Sequence, residues 1–111
     1  MNNELCIPQN RMFITEIIIQ NGDEYYTLKD GEKLVFGMKK NPLNTAYILK
    51  KEITVDDKHV NGYLLTLRTE ETDIPQGAYW YDIALVRSDH EMIKIIGSTR
   101  MEIVESVVRS D

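Results

Sequence analysis

The chain has 111 residues, of which 42% are hydrophobic and 28% are charged, and these values are typical of one globular domain rather than of a disordered segment. A net charge of −5 argues against a surface built for nucleic-acid phosphates, because that binding depends on Lys and Arg. The single cysteine, Cys6, excludes an intrachain disulfide framework, and the polar start and short apolar runs disfavour export and membrane insertion. We therefore expect a soluble domain made in a reducing cytosol.

The first eleven residues are polar and show no periodicity, which predicts a loose arm over 1–11 ahead of a single domain over 12–111. Eight later stretches are rich in β-branched and aromatic residues and are bounded by Gly, Pro, Asn or Asp, which predicts short strands. In chain order they are 12–20, 24–28, 33–40, 45–55, 63–69, 78–87, 92–97 and 100–109. About eight strands at this spacing, with no amphipathic helix, predict an all-β fold formed by one antiparallel β-sandwich.

Some of these elements carry finer expectations. Asp30-Gly31 predicts a hairpin between 24–28 and 33–40. The stretch 45–55 fits a helix or a strand, and its β-branched content favours a strand with a kink or bulge near its two lysines. A corner over 70–77 has room for one short helical turn, and a slip in alternation predicts a bulge around Val104 in the last strand.

The stretch GAYWYDIALV, 77–86, contains three consecutive aromatic residues. Because side chains alternate along a strand, Tyr79, Tyr81 and Ile83 are predicted to face the core, while Trp80 and Asp82 face the other way. Trp80 fits two environments, an exposed interface anchor or a small satellite core beneath a loop.

Gly77, Tyr79 and Tyr81 also have the spacing of the tyrosine corner of immunoglobulin-like sandwiches. In that corner a Tyr hydroxyl bonds to backbone a few residues upstream, so Tyr79 is predicted to be a buried structural residue. Tyr81 stands where those domains have a cysteine.

Two groups of polar residues are weighed as metal sites. His59 and His90 lie in separate acidic turns without zinc-ligand spacing, and the carboxylates of Glu70, Glu71 and Asp73 lack the periodicity of a calcium loop. A turn capped by a Thr explains those carboxylates equally well. With no nucleophile–base or nucleotide-binding motif either, we expect no enzyme, no metal and no cofactor.

The stretch LTLRTEETDIPQGAYWYDIALV resembles the immunoglobulin-like amino-terminal domain of phage baseplate upper proteins and related tail and virion proteins. The positions that carry the resemblance are Thr72, Ile74, Gly77, Tyr79, Tyr81, Asp82 and Ile83. The stretches DGEKLVFGMKK and IIGSTRMEIVESV look like the second strand and the closing hairpin of that family. Since those proteins continue into long carboxyl-terminal regions, the resemblance implies a free-standing subunit or an excised domain.

The resemblance implies a non-enzymatic phage or prophage structural protein, of the tail or baseplate. It would assemble with other virion proteins or with itself, first in the host cytoplasm and then in the virion, without nucleic-acid or membrane partners. One alternative is a carbohydrate-binding or adhesion module, for which Trp80 with Tyr47 or Tyr63 would form an aromatic platform. A second alternative is a small acidic inhibitor or antidefence protein that occupies a basic partner.

Overall fold

The computed structural model of the protein describes residues 4–43 and 46–105, and these ranges are mostly β-structure. In chain order the strands are β1 (Leu5–Pro8), β2 (Phe13–Ile17), β3 (Gln20–Asn21), β4 (Glu24–Tyr25), β5 (Lys33–Lys39), β6 (Leu49–Ile53), β7 (Lys58–His59), β8 (Gly62–Leu67), β9 (Gly77–Val86) and β10 (Met92–Val104). Two 3₁₀ turns lie at Val55–Asp57 and Thr69–Glu71, and these ranges contain no α-helix.

The five-stranded sheet has the order β1-β10-β9-β5-β6. Its centre is β9, which pairs antiparallel with β5 on one side and with β10 on the other. Because β9 lies between two partners, its apolar residues at alternate positions form a continuous buried surface, in which Tyr79, Tyr81 and Ile83 are at most 3% exposed. The predicted core face of this strand is thus buried.

The second sheet has three strands in the order β2-β8-β7, and β3 and β4 form a separate two-stranded ribbon. The central strand β8 buries Tyr63, Leu65 and Leu67, each 1% exposed, in the same hydrophobic cluster as the inner residues of β5 and β9. The inner faces of the two larger sheets therefore share one core.

The amino-terminal region differs from its prediction, because residues 5–8 of the expected loose arm form β1. This strand pairs in parallel with β10, with Leu5 opposite Met101 and Ile7 opposite Ile103. Ile7 is completely buried, and burial of this apolar side chain stabilises β1, although the sequence of the first eleven residues is polar and shows no periodicity. The parallel pair also makes the sheet mixed, so the expectation of a purely antiparallel architecture was wrong.

Two strand connections also differ from the predictions. The expected hairpin between 24–28 and 33–40 is absent from the described pairings, since β4 pairs with β3 and β5 pairs with β6 and β9. The predicted strands 92–97 and 100–109 are one strand, β10, within the described residues. The register between β10 and β9 shifts on both sides of Ile96, so β10 continues through the point where two separate strands were predicted. The bulges therefore lie near Ile96 and not around Val104, where one was expected. Positions 106–109 of the predicted last strand lie outside the described residues.

Other predictions agree with the structure. The ambiguous stretch 45–55 contains strand β6, but its register with β5 is continuous and lacks the bulge expected near the two lysines. The helical turn expected in the corner after β8 is the 3₁₀ turn Thr69–Glu71. The strands 63–69 and 78–87 match β8 and β9 to within two residues at each end. The other 3₁₀ turn, Val55–Asp57, is capped by Thr54, whose hydroxyl accepts a hydrogen bond from the Asp56 amide.

Candidate functional site

The outer face of the five-stranded sheet carries an aromatic side chain that does not belong to the sheet. Tyr47, which precedes β6, lies directly over Gly37 of β5, so that a Cβ atom at position 37 would overlap the tyrosine ring. Glycine inside a strand is typical of a close approach by another group. Gly37 therefore makes the space in which Tyr47 covers this part of the sheet.

Asp82 of β9 fixes the other end of Tyr47. The tyrosine hydroxyl lies 3.1 and 3.2 Å from the two carboxylate oxygens and donates to that group. Burial raises the pKa of Tyr47 above its usual 10.0, and the charge of Asp82 and the hydrogen bond to it raise the pKa further. Asp82 is only 8% exposed, so this polar contact replaces water at its carboxylate.

Two lysines flank the same ring. The Nζ atom of Lys39 lies 4.9 Å from the ring centroid of Tyr47, and that of Lys50 lies 5.0 Å from it. Both distances fall in the range of cation–π attraction. We call Lys39, Tyr47, Lys50, Trp80 and Asp82 the outer-face cluster.

Trp80 stands next to this tyrosine on the same face. In the sheet register it lies between Lys39 of β5 and Arg100 of β10, and it is half-buried. Of the aromatic residues considered for a sugar platform, Tyr47 and Trp80 share this face, whereas Tyr63 is buried at 1% exposure and accepts a hydrogen bond from the Leu28 amide. A platform that includes Tyr63 was therefore a wrong alternative.

The corner before β9 is hydrogen-bonded to the segment between β1 and β2. The Tyr79 hydroxyl donates to the Pro75 carbonyl at 2.6 Å, which is the upstream backbone bond of a tyrosine corner. The buried hydroxyl of Thr72 accepts from the Arg11 amide at 2.8 Å and donates to the Arg11 carbonyl at 2.7 Å. The Gln9 side chain donates to the Ile74 carbonyl at 2.8 Å. These motif positions hold the β1–β2 connection in place.

The residues considered for metal binding are His59, His90, Glu70, Glu71 and Asp73. His59 and His90 are exposed, and within residues 4–43 and 46–105 no group of three His, Cys, Asp or Glu side chains is arranged to hold a metal ion. Glu71 instead accepts from the Arg68 amide at 2.8 Å and pairs with Lys51 at 2.9 Å. Burial alone would raise the pKa of Glu71, but the Arg68 amide and the Lys51 ammonium outweigh it and lower the pKa.

A second surface of interest lies at β2, the edge strand of the smaller sheet. Four large apolar side chains, one in β2, one at each of its ends and one in β4, are exposed by 44–59%, and we call them the β2 surface: Met12, Ile14, Ile18 and Tyr25. Ile18 and Tyr25 also line an open cleft of about 540 Å³ that reaches Tyr81 and Ile96 of the larger sheet.

No helix in the described part of the chain is long and apolar enough to span a membrane.

Gly37 lies inside the predicted strand 33–40, and its role as the space for Tyr47 was not predicted from the sequence. A glycine between two apolar residues in a predicted strand was the available signal, since it indicates that something approaches the backbone closely. The partner could not be identified in the same way, because Tyr47 reaches Gly37 only through the β5–β6 connection.

Comparison with protein-family models, with curated proteins and with solved structures found no match to this chain. The resemblance to baseplate upper proteins therefore depends on the sequence patterns alone.

Proposed function

We propose that the protein is a non-enzymatic structural component of a phage or prophage particle, in the tail or baseplate, and that it functions by binding other protein chains. Its fold in this proposal is an immunoglobulin-like β-sandwich. The motif from Thr72 to Ile83 supports the family, and the β2 surface supports the mode of action.

The strand order supports the immunoglobulin-like assignment. Variable-type domains have strands G, F, C and C′ in one sheet and B, E and D in the other. In chain order, the neighbours β10-β9-β5-β6 and β2-β8-β7 correspond to those two sets. Phe36 of β5 packs against Tyr81 of β9 with ring centroids 5.5 Å apart, at the positions where antibody domains pack a Trp on a disulfide.

The observation that carries the proposed function is the β2 surface. Contiguous exposed apolar side chains are typical of protein–protein interfaces. The edge of β2 opposite β8 pairs with no other strand among the described residues, so a partner strand has hydrogen-bonding groups to bind.

The magnitudes indicate what a partner must contact. Each of the four half-exposed side chains contributes about 1 kcal/mol when it is fully buried. Association costs at least about 4 kcal/mol in lost translational and rotational freedom. A stable complex therefore needs more than these four side chains, and filling the adjoining cleft or adding a strand to β2 supplies the rest.

The test is to induce the prophage that carries the gene, purify the particles and measure how much of the chain they contain. We expect a fixed stoichiometry in wild-type particles and a loss of at least about tenfold with the double variant Ile14→Asp, Ile18→Asp, since this loss corresponds to about 1.4 kcal/mol. The control is Leu43→Asp, which places one added negative charge, where the double variant adds two, at an 89% exposed position in the β5–β6 connection.

Light scattering of the purified chain tests the same surface for self-association. A chain that is absent from particles and monomeric at high concentration would contradict the proposal. Equal incorporation of the double variant and the control would contradict the assignment to the β2 surface.

A further inference from the structure

The charged groups on the outer face of the five-stranded sheet do not balance. Three cation–carboxylate contacts there have distances of 2.7, 3.8 and 3.8 Å; they are Lys33–Glu52, Lys94–Asp82 and Arg100–Glu102. Lys39 and Lys50 have no carboxylate partner in the described part of the chain. This face of a protein with net charge −5 therefore presents two uncompensated positive charges.

The two free ammonium groups are held near each other by Tyr47. Each lies within 5.0 Å of the same ring centroid, so they are at most about 10 Å apart. The ring itself is held in place, because Gly37 lies beneath it and Asp82 accepts a hydrogen bond from its hydroxyl. Both charges therefore lie next to the same fixed ring.

Trp80 adds an apolar surface next to these charges. It is directly opposite Lys39 in the sheet register and has Arg100 on its other side. An indole face accommodates the C–H groups of one face of a pyranose ring, and the hydroxyl and acidic groups at the rim of that ring then point towards the neighbouring side chains.

We propose that the outer-face cluster binds an anionic saccharide. The indole of Trp80 contacts one sugar ring, and the ammonium groups of Lys39 and Lys50 bind carboxylate groups on that ring and on the next. The carboxylate of Asp82 is occupied by the Tyr47 hydroxyl and faces Lys94, so its charge is offset. The proposal goes beyond assembly through the β2 surface, which involves β2 and β4 and lies outside the five-stranded sheet.

A saccharide fits better than a single-stranded nucleic acid. Nucleic-acid affinity rises with the number of phosphates that are neutralised, and two free cations neutralise few. Stacking of successive bases also needs several open rings, whereas the Tyr47 ring is already flanked by two lysines. A sugar acid with one charge per ring offers one carboxylate for each of the two free lysines, which lie next to the same tyrosine ring.

Trp80 is the only tryptophan, so its emission reports on this site directly. The experiment titrates the full chain with the tetramer of galacturonic acid, with neutral maltotetraose and with oligothymidylate, each at about 50 and about 200 mM salt. We expect saturable binding of the acidic tetramer that weakens with salt, and no change with maltotetraose. Equal binding of maltotetraose, tighter binding of oligothymidylate, or no saturable change at millimolar tetramer would overturn the proposal.

The variants Lys39→Gln and Lys50→Gln should each weaken binding of the tetramer about tenfold, the usual loss for one charge-assisted hydrogen bond. The matched control is Lys33→Gln, which removes the same charge from the same face but from a lysine paired with Glu52. Thermal melts check that all three variants are folded. An equal loss in all three variants would show that net charge alone attracts the tetramer, and this would overturn the site.

Discussion

The two faces of β9 differ in what keeps their side chains in place. On the inner face Tyr79, Tyr81 and Ile83 are buried at 3%, 3% and 0% exposure within the shared core. On the outer face Asp82 and half-buried Trp80 lie among Tyr47 and several lysines. The inner face is therefore held by burial of apolar area, and the outer face by a few directional contacts that leave two charges free.

This difference separates stability from recognition within one strand. Changes on the inner face should mainly alter the free energy of unfolding, and changes at exposed outer positions should mainly alter binding. Gly37 is an informative exception, because it lies on the outer face but has a steric role.

The largest effect should come from Ile83→Ala. Ile83 is completely buried, so truncation removes apolar contacts and leaves a cavity, at a cost of about 3–4 kcal/mol. Urea denaturation should show a lower midpoint with little change in slope. A loss below about 1 kcal/mol would mean that the core refills the space, and the inner face would then be more adaptable than its burial suggests.

Gly37→Ala should cost about 2 kcal/mol, because the new Cβ overlaps the Tyr47 ring and breaks the hydrogen bond to Asp82. A double-mutant cycle with Tyr47→Ala isolates this contact. In the Tyr47→Ala background the added methyl group should cost little. An equal loss of stability in both backgrounds would instead show that the added methyl group clashes with the sheet and not with the Tyr47 ring.

Tyr79→Phe should destabilise the protein by about 1–2 kcal/mol through loss of the hydrogen bond to the Pro75 carbonyl. Tyr25→Phe is the control, since Tyr25 is 49% exposed. Chemical denaturation measures both variants. If they differ by less than about 0.5 kcal/mol, the tyrosine-corner role of Tyr79 should be dropped.

Trp80→Ala should cost less than about 1.5 kcal/mol of stability, compared with about 3–5 kcal/mol for a core tryptophan. Calorimetric titration with the galacturonic acid tetramer and particle incorporation then separate two roles. Lost saccharide binding with normal incorporation would assign Trp80 to the ligand. A tenfold loss of incorporation would assign it to a protein interface, as the sequence predicted for an exposed tryptophan.

The smallest effect concerns alkaline pH. Burial raises the pKa of Tyr79, Tyr81 and Tyr47 above the ordinary value of 10.0, and Asp82 adds to the shift of Tyr47. The folded state therefore binds protons more tightly, so its stability is intact below pH 10 and falls as the pH rises above it. Unfolding free energies measured across this range should fall less steeply for Tyr47→Phe than for wild type. An identical slope would mean that the Tyr47 hydroxyl is hydrated.

The sequence was informative where one local rule decided the structure. The alternation in 77–86 predicted which face of β9 is buried, and the turn chemistry around His59 and His90 predicted that both side chains are exposed, although His59 lies in the short strand β7 and not in a turn. The β-branched content of 45–55 favoured the strand that is found.

The remaining features depend on distant segments, which local patterns do not specify. Residues 5–8 become a strand only because β10 offers an edge, and the pattern of that short segment carries no sign of it. The sequence predicted two strands, 92–97 and 100–109, but both pair with the ten-residue β9 and form one strand with bulges between them. The outer-face cluster likewise needs the β5–β6 connection to bring Tyr47 over Gly37.

The parallel pairing of β1 with β10 affects the order of events during synthesis. Leu5 lies opposite Met101, so β1, which is synthesised before the other strands described here, has no neighbour to pair with until β10 has been made. Until then the apolar side chain of Ile7 has no cover and is open to chaperones. Moving β1 to the carboxyl-terminal side of β10 would shorten that delay, but it would require a connection long enough to return along the strand, because parallel neighbours cannot be joined by a tight turn.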